Sequence, residues 1–204
     1  MEFVTSHEAL RSHYKPASDP AIRKELNALD HHCRGFIARS PFVLIGSSDA
    51  DGNADVTPKG DRPGFVAVLD DTTLAIPDRP GNNRLDTLEN FVVNPAVGLL
   101  FLIPGMNETL RVNGQARITL DKGLRERLAV DGKAPLSVIV VSLRSAYMHC
   151  AKAFMRSDLW KAESWPDRSS LPTLGAILKD QLALADSADS TDRWLAESYG
   201  KSMW

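Results

Sequence analysis

The chain has 204 residues, 43% of them hydrophobic and 25% charged, which is enough apolar sequence to bury a core and too much for a disordered protein. Its 24 Lys and Arg against 26 Asp and Glu leave a formal charge of −2, which argues against a general nucleic-acid binder, because such proteins need a basic surface. The longest apolar runs, Ala96–Ile103 and Leu136–Leu143, are strand-sized and too short to span a bilayer. The first residues, MEFVTSHEAL, lack the basic and apolar regions of a secretion signal, so the expected location is the cytoplasm. Cys33 and Cys150, far apart and outside any Cys-x-x-Cys pair, fit a reduced compartment, and the sequon at Asn107 is then an accident.

The first forty residues read as helical. Ser18-Asp19-Pro20 offers a cap and a first-turn proline, and Ile22, Leu26 and Leu29 then share one helical face, up to the break at Pro41. From Phe42 the period changes to that of strands. "FVLIGSS", "DADGN" and "ADVTP" predict two strands around an Asp-Gly turn, and "GFVAVL", "DDT" and "TLAI" repeat the pattern. A helix over Arg84–Val93 is followed by the buried strand "AVGLLFLI" and, after "PGMNE", by the alternating strand "TLRVNGQARITL", with Val112, Gly114, Ala116 and Ile118 on one face. The short helix "DKGLRERLAV" and the strand "LSVIVVSL" come next. Beyond them, "TLGAILKDQLALA" and "TDRWLAESYG" read as helices separated by the acidic, Ser-rich "DSADSTD". Six or seven short strands with tight turns and one helix inserted midway indicate a small antiparallel barrel, closed or partly closed. A doubly wound sheet is disfavoured, because the first four strands alternate with turns and no Gly-x-Gly-x-x-Gly or Walker lysine motif occurs.

The stretch "IPDRPGNNRLDTLENFVVNP" places Asn82, Asn83 and Arg84 where a helix should start, after Gly81. Donors accumulate there beside backbone N–H groups that are already free, which suits a bound anion better than a cap. Arg84 offers a planar fork to a phosphate, and Lys59, just past a strand in "DVTPKGD", offers a second positive charge. Each residue also has a structural reading: Lys59 as a solvated loop lysine, Asn82-Asn83 as turn residues, and Arg84 as a partner of Asp78 or Asp86. No Gly-x-Ser-x-Gly elbow and no His-Glu-x-x-His motif is present. His31-His32-Cys33, with His149-Cys150, reads as surface histidines and a buried cysteine and not as a metal site, since neighbouring helix positions point about 100° apart.

The run "DADGNADVTPKGDRPGFVAVLDDTTLAIPDRPGNNRLDTLENFVVNPAVGLLFLIPGMNETLRVNGQARI" resembles the flavin-binding core of the pyridoxamine 5′-phosphate oxidase-related family. The resemblance covers about residues 35–160 in order and extends to "AYMHCAKAFMRSDLW", similar to the closing segment of a bacterial subgroup of unknown substrate. It implies a mainly β fold with flanking helices, a six-stranded antiparallel split β-barrel of Greek-key type that binds FMN. It also implies one domain over residues 1–204, with helical extensions at 1–40 and 160–204. Members are usually homodimers with FMN in a cleft between subunits. Carried onto this chain, the phosphate-gripping turn falls on Asn82, Asn83 and Arg84, and the strand beneath the flavin ring on Val56, Thr57, Pro58 and Lys59. The position that reaches the ring edge falls near Thr109 to Arg111, with Lys152 and Arg156 as contacts from the closing segment. The Arg/His-containing final segment of true pyridoxamine phosphate oxidases has no counterpart in "WLAESYGKSMW", so oxidation of vitamin B6 is not implied.

The function this implies is an FMN-dependent oxidoreductase acting on an unknown small substrate, in which the flavin carries the electron chemistry and no catalytic nucleophile is needed. The alternatives from the same reading are a flavin- or haem-binding sensor without turnover, with His149 as the haem ligand, and a deazaflavin-dependent reductase. Neither nucleic acid nor membrane is an expected partner.

Overall fold

The computed structural model describes residues 1–203. Strand β1, Phe42–Ser48, turns its Val43 and Ile45 into the core and Leu44 and Gly46 to the other face. The chain returns as β2, Ala54–Gly60, through the predicted turn, where the Asp49 carboxylate accepts from the N–H groups of Asp51 at 3.0 Å and Asn53 at 2.8 Å. Gly52 there has φ of 84°, which glycine adopts at little cost. β3 keeps only Ala67–Val68 of the predicted "GFVAVL", and β4 is Thr73–Asp78. Helix α4, Asp86–Val93, then precedes β5, Ala96–Leu102, and β6, Thr109–Thr119, while β7 runs for 13 residues over Ser137–His149.

The seven strands form one antiparallel sheet in the order β2-β1-β5-β6-β7-β4-β3. The fold is the expected split barrel, and the strand beyond six is the two-residue β3. No ladder joins β2 to the β4 side; side chains close that seam instead. Lys59 in β2 meets Asp78 at the end of β4 at 2.7 Å, and Asp61 just after β2 meets Arg79 just after β4 at 2.8 Å. The Asp61 side chain is 1% exposed, and Arg79 also donates to the Leu128 carbonyl at 3.0 Å. Paired and hydrogen-bonded charges of this kind tolerate burial that single charges do not.

Two helices pack on the inner side of the curled sheet. The α3 segment His31–Ile37 buries Cys33, Phe36 and Ile37, and α4, Asp86–Val93, buries Thr87 and Phe91. Polar side chains fix α4 in place: Thr87 donates to the Asp55 carboxylate at 2.7 Å, and Asn90 donates to Ser47 at 3.0 Å. The α4 start lies two residues later than the sequence pattern predicts, at Asp86.

The N-terminal forty residues depart from the helical expectation. They form three short helices, α1 His7–Ser12, α2 Asp19–Arg23 and α3, and Ile22, Leu26 and Leu29 share no helical face. Ile22 is exposed, and Leu26 exchanges two backbone hydrogen bonds with Ala146, at 2.9 and 2.8 Å. The cause lies in β7. Its Ser137–Ser142 half pairs with β4, but the residues beyond need other partners for their open edge, and extended backbone around Leu26 supplies them. Past α5, Lys122–Arg127, and α6, Lys152–Ser157, the chain ends in α7, Leu174–Leu182, and α8. The last helix runs Ala188–Ser202 and absorbs most of the stretch expected to separate two helices, because Ser187 caps it by accepting from the Ser190 N–H. Among the described residues, no helix is long and apolar enough to cross a membrane.

Candidate functional site

The turn between β4 and α4 is built from its own side chains. The Asn82 carboxamide oxygen accepts from the Arg84 N–H at 3.0 Å, and Asn83 lies in the left-handed region at φ 58°, which asparagine tolerates. Leu85 stands at the N-cap of α4 and gives no side-chain cap, so the helix start lacks the usual capping oxygen. The Arg84 guanidinium is largely exposed and pairs with the exposed carboxylate of Asp86. Asp86 and Glu89 in the first turn already offset part of the positive helix end. An exposed pair of this kind contributes little, so a dianion can displace Asp86 at small cost.

Lys59 lies inside β2 and not beyond it, which corrects the sequence reading. It stands opposite the buried Val43, so it points inward with Thr57, and its ammonium is committed to Asp78. Val56 and Pro58 take the opposite, outer face, and a proline is compatible with this edge strand. One ligand therefore meets Val56 and Pro58 by side chain or Thr57 and Lys59 by side chain, but not all four.

A cleft of about 910 Å³ opens beside this turn. Gly60 at the end of β2, Asp61 and Arg62 after it, and Arg79 to Asn82 after β4 form one wall, and Leu178 of α7 with Trp194, Leu195, Ser198 and Tyr199 of α8 form the other. Sequence reasoning missed the second wall. Its signal was present, since positions 194, 195, 198 and 199 fall on one helical face.

Thr109, Arg111, Lys152 and Arg156 form a different group. Pro58, Leu44, Leu100, Arg111 and Tyr147 make one row across β2, β1, β5, β6 and β7 on the outer face. Pro58 and Arg111 are thus three strands apart, about 14 Å at the usual spacing. Arg111 donates to the Tyr147 hydroxyl at 3.2 Å, and the ring of Tyr147 stacks on His149 with centroids 6.3 Å apart. Burial, and then the charges of Arg111 and Lys24, hold the His149 pKa below the ordinary histidine value. Thr109 is buried opposite His149. Lys152 and Arg156 are exposed on α6, and Trp160 anchors the segment after that helix by donating to the Met106 carbonyl at 2.7 Å.

His31 and His32 do not diverge as the helical spacing predicts: their ring centroids are 3.7 Å apart, and with Asp30 they present ligand atoms within 4.8 Å of one another. Both rings are exposed, and the Asp30 carboxylate is occupied as the cap of α3, accepting from the Cys33 N–H at 2.8 Å.

The chain is similar to several solved structures at low identity. HupZ of Group A Streptococcus is 15% identical over 59% of this chain and 93% of its own, with a TM-score of 0.49. A candidate pyridoxamine 5′-phosphate oxidase of Lactobacillus delbrueckii is 22% identical over 61% and 98%, with a TM-score of 0.48. An FMN-binding protein of Syntrophomonas wolfei is 11% identical over 70% and 96%, with a TM-score of 0.43. No curated protein sequence matches the chain. The family profile described as pyridoxamine 5′-phosphate oxidase matches residues 29–150, more than half of the chain and all seven strands, and the protein belongs to that family.

Proposed function

We propose that this protein binds FMN and serves in the cytoplasm as an FMN-dependent oxidoreductase acting on a small molecule. Membership of the family supports the flavin. The observation that carries the reading is the Gly81–Arg84 turn, an uncapped helix start with an exposed guanidinium, set at the edge of a cleft of about 910 Å³. That volume suits a cofactor of flavin size, and a Cβ added at Gly81 would meet nothing within 4 Å, so a phosphate can approach the backbone.

The residues present fit the group. Asn82, Asn83 and Arg84 would hold the phosphate, and Val56 and Pro58 would offer apolar surface to the ring. Lys59 keeps β2 against β4 through Asp78, and with Thr57 it shapes the barrel wall behind the ligand. Trp194 and Tyr199 would shield the cleft from water. FMN, when bound, supplies the electron chemistry. Arg111 stands too far across the sheet to share a ring with Pro58 in one chain, and with the exposed Lys152 and Arg156 it would reach the ring from a second copy in a homodimer, Thr109 supporting it from the buried position before it on the same face. The outer face supports that assembly: Val56 is 64% exposed there, beside half-buried Leu44 and Leu100.

Arg84→Ala should weaken FMN binding by about 1.5–3 kcal/mol, the range of a charge-assisted contact, and leave riboflavin nearly unaffected because it lacks the phosphate. Fluorescence titration of both flavins measures this. Equal losses for the two would remove Arg84 from the phosphate site, and failure of the unaltered protein to bind either would remove the flavin.

A further inference from the structure

Around Tyr147 the fold assembles two cations without a carboxylate partner among the described residues. The Arg111 guanidinium carbon and the Lys24 ammonium each lie 5.7 Å from the centre of the Tyr147 ring. Neither cation forms a salt bridge with a carboxylate among the described residues. Lys24 is brought in by the Leu26–Ala146 bridge and held by donating to the Met148 carbonyl at 2.7 Å. Tyr147 accepts from Arg111 through its hydroxyl oxygen, which leaves its own proton free to donate. Holding two like charges beside one ring costs energy that an aromatic face repays only in part, and a bound anion repays the rest.

We propose that Lys24, Arg111, Tyr147 and His149 form a recognition site for the phosphate or carboxylate group of a small-molecule ligand. Arg111 presents its fork to two oxygens, Tyr147 donates its O–H, and Lys24 supplies the second charge. Neutral His149, stacked on Tyr147, forms the wall beside them and donates from one ring nitrogen. In the flavin reading this ligand is the substrate, and the assignment rests on that reading only for what the anion belongs to.

His149 provides a local readout. Arg111 on β6 and Lys24 after α2 are the charges whose fields reach it and keep it neutral, so an anion between them must raise its pKa. The full chain, labelled at histidine, is titrated by NMR with inorganic phosphate and, separately, with acetate, against sodium chloride at matched ionic strength. Phosphate or acetate should raise the His149 pKa saturably and chloride should not; the tighter of the two identifies the ligand group. Arg111→Gln should weaken the response roughly tenfold, and Lys24→Gln, at an exposed position, by about threefold. Arg117→Gln, on the far half of β6, should change nothing. A His149 signal that responds to neither anion, or that responds in Arg111→Gln and Lys24→Gln as it does in the unaltered protein, overturns the site. Loss of this response with FMN binding intact rejects this site alone, whereas an intact response without flavin binding rejects the flavin reading alone.

Discussion

Cys33 and Cys150 show how place in the fold sets the chemistry of a residue. Cys33 is 3% exposed, and burial followed by its contact with Asp30 pushes its thiol pKa up to about 11. Cys150 is exposed at the end of β7. An aromatic disulfide reagent at neutral pH should therefore label one thiol quickly in the native protein and the second only on unfolding, and Cys150→Ser should abolish the fast phase. Two fast thiols would contradict the burial of α3. The buried cysteine and the exposed histidines beside it were legible as residue types, and so was the Asn82-Asn83 turn. For Arg84 the sequence narrowed the partner to Asp78 or Asp86, but for Lys59 it named none. Arg84 takes Asp86, two residues away, whereas Lys59 takes Asp78, across the barrel seam.

At the scale of elements, period and turn chemistry located β1, β2, β4, β5 and β6 within a few residues, since alternation and Asp-Gly turns act over short spans. The full length of β7 was hidden. Its pairing with β6 shifts register between Asn113 and Gly114, where Arg144 is the extra residue on β7, so the alternation ends in the sequence at Leu143 although the strand continues to His149. The same irregularity predicts a sensitive position. A Cβ at Gly114 would stand 2.2 Å from the Ser142 carbonyl oxygen, and backbone on both strands cannot yield as a flexible side chain would. Gly114→Ala should lower stability by about 1–3 kcal/mol or more, the cost of overpacking, seen as a lower urea midpoint. An unchanged midpoint would show that the two strands separate there at no cost.

The whole molecule brings together what no segment holds alone. The sheet closes through Lys59–Asp78 and Asp61–Arg79, and this closure sets the ends of β2 and β4 side by side as one wall of the cleft. The proposed homodimer would complete the site from the outer face. Light scattering should then give twice the chain mass of 22.4 kDa, and Val56→Glu, which sets a charge on that face, should shift the protein toward monomer. A monomer that holds FMN stoichiometrically would show that one chain completes the cleft.

Composition, strand period, turn residues and the Gly81–Arg84 run determined the class of fold and the first place to look for an anion, because each acts within a few residues of chain. Tertiary structure alone decided the inward commitment of Lys59, the capture of Leu26 by β7, the wall supplied by α7 and α8, and the company of Arg111. These depend on which charges and open strand edges meet once the barrel curls, and local sequence carries no record of that meeting.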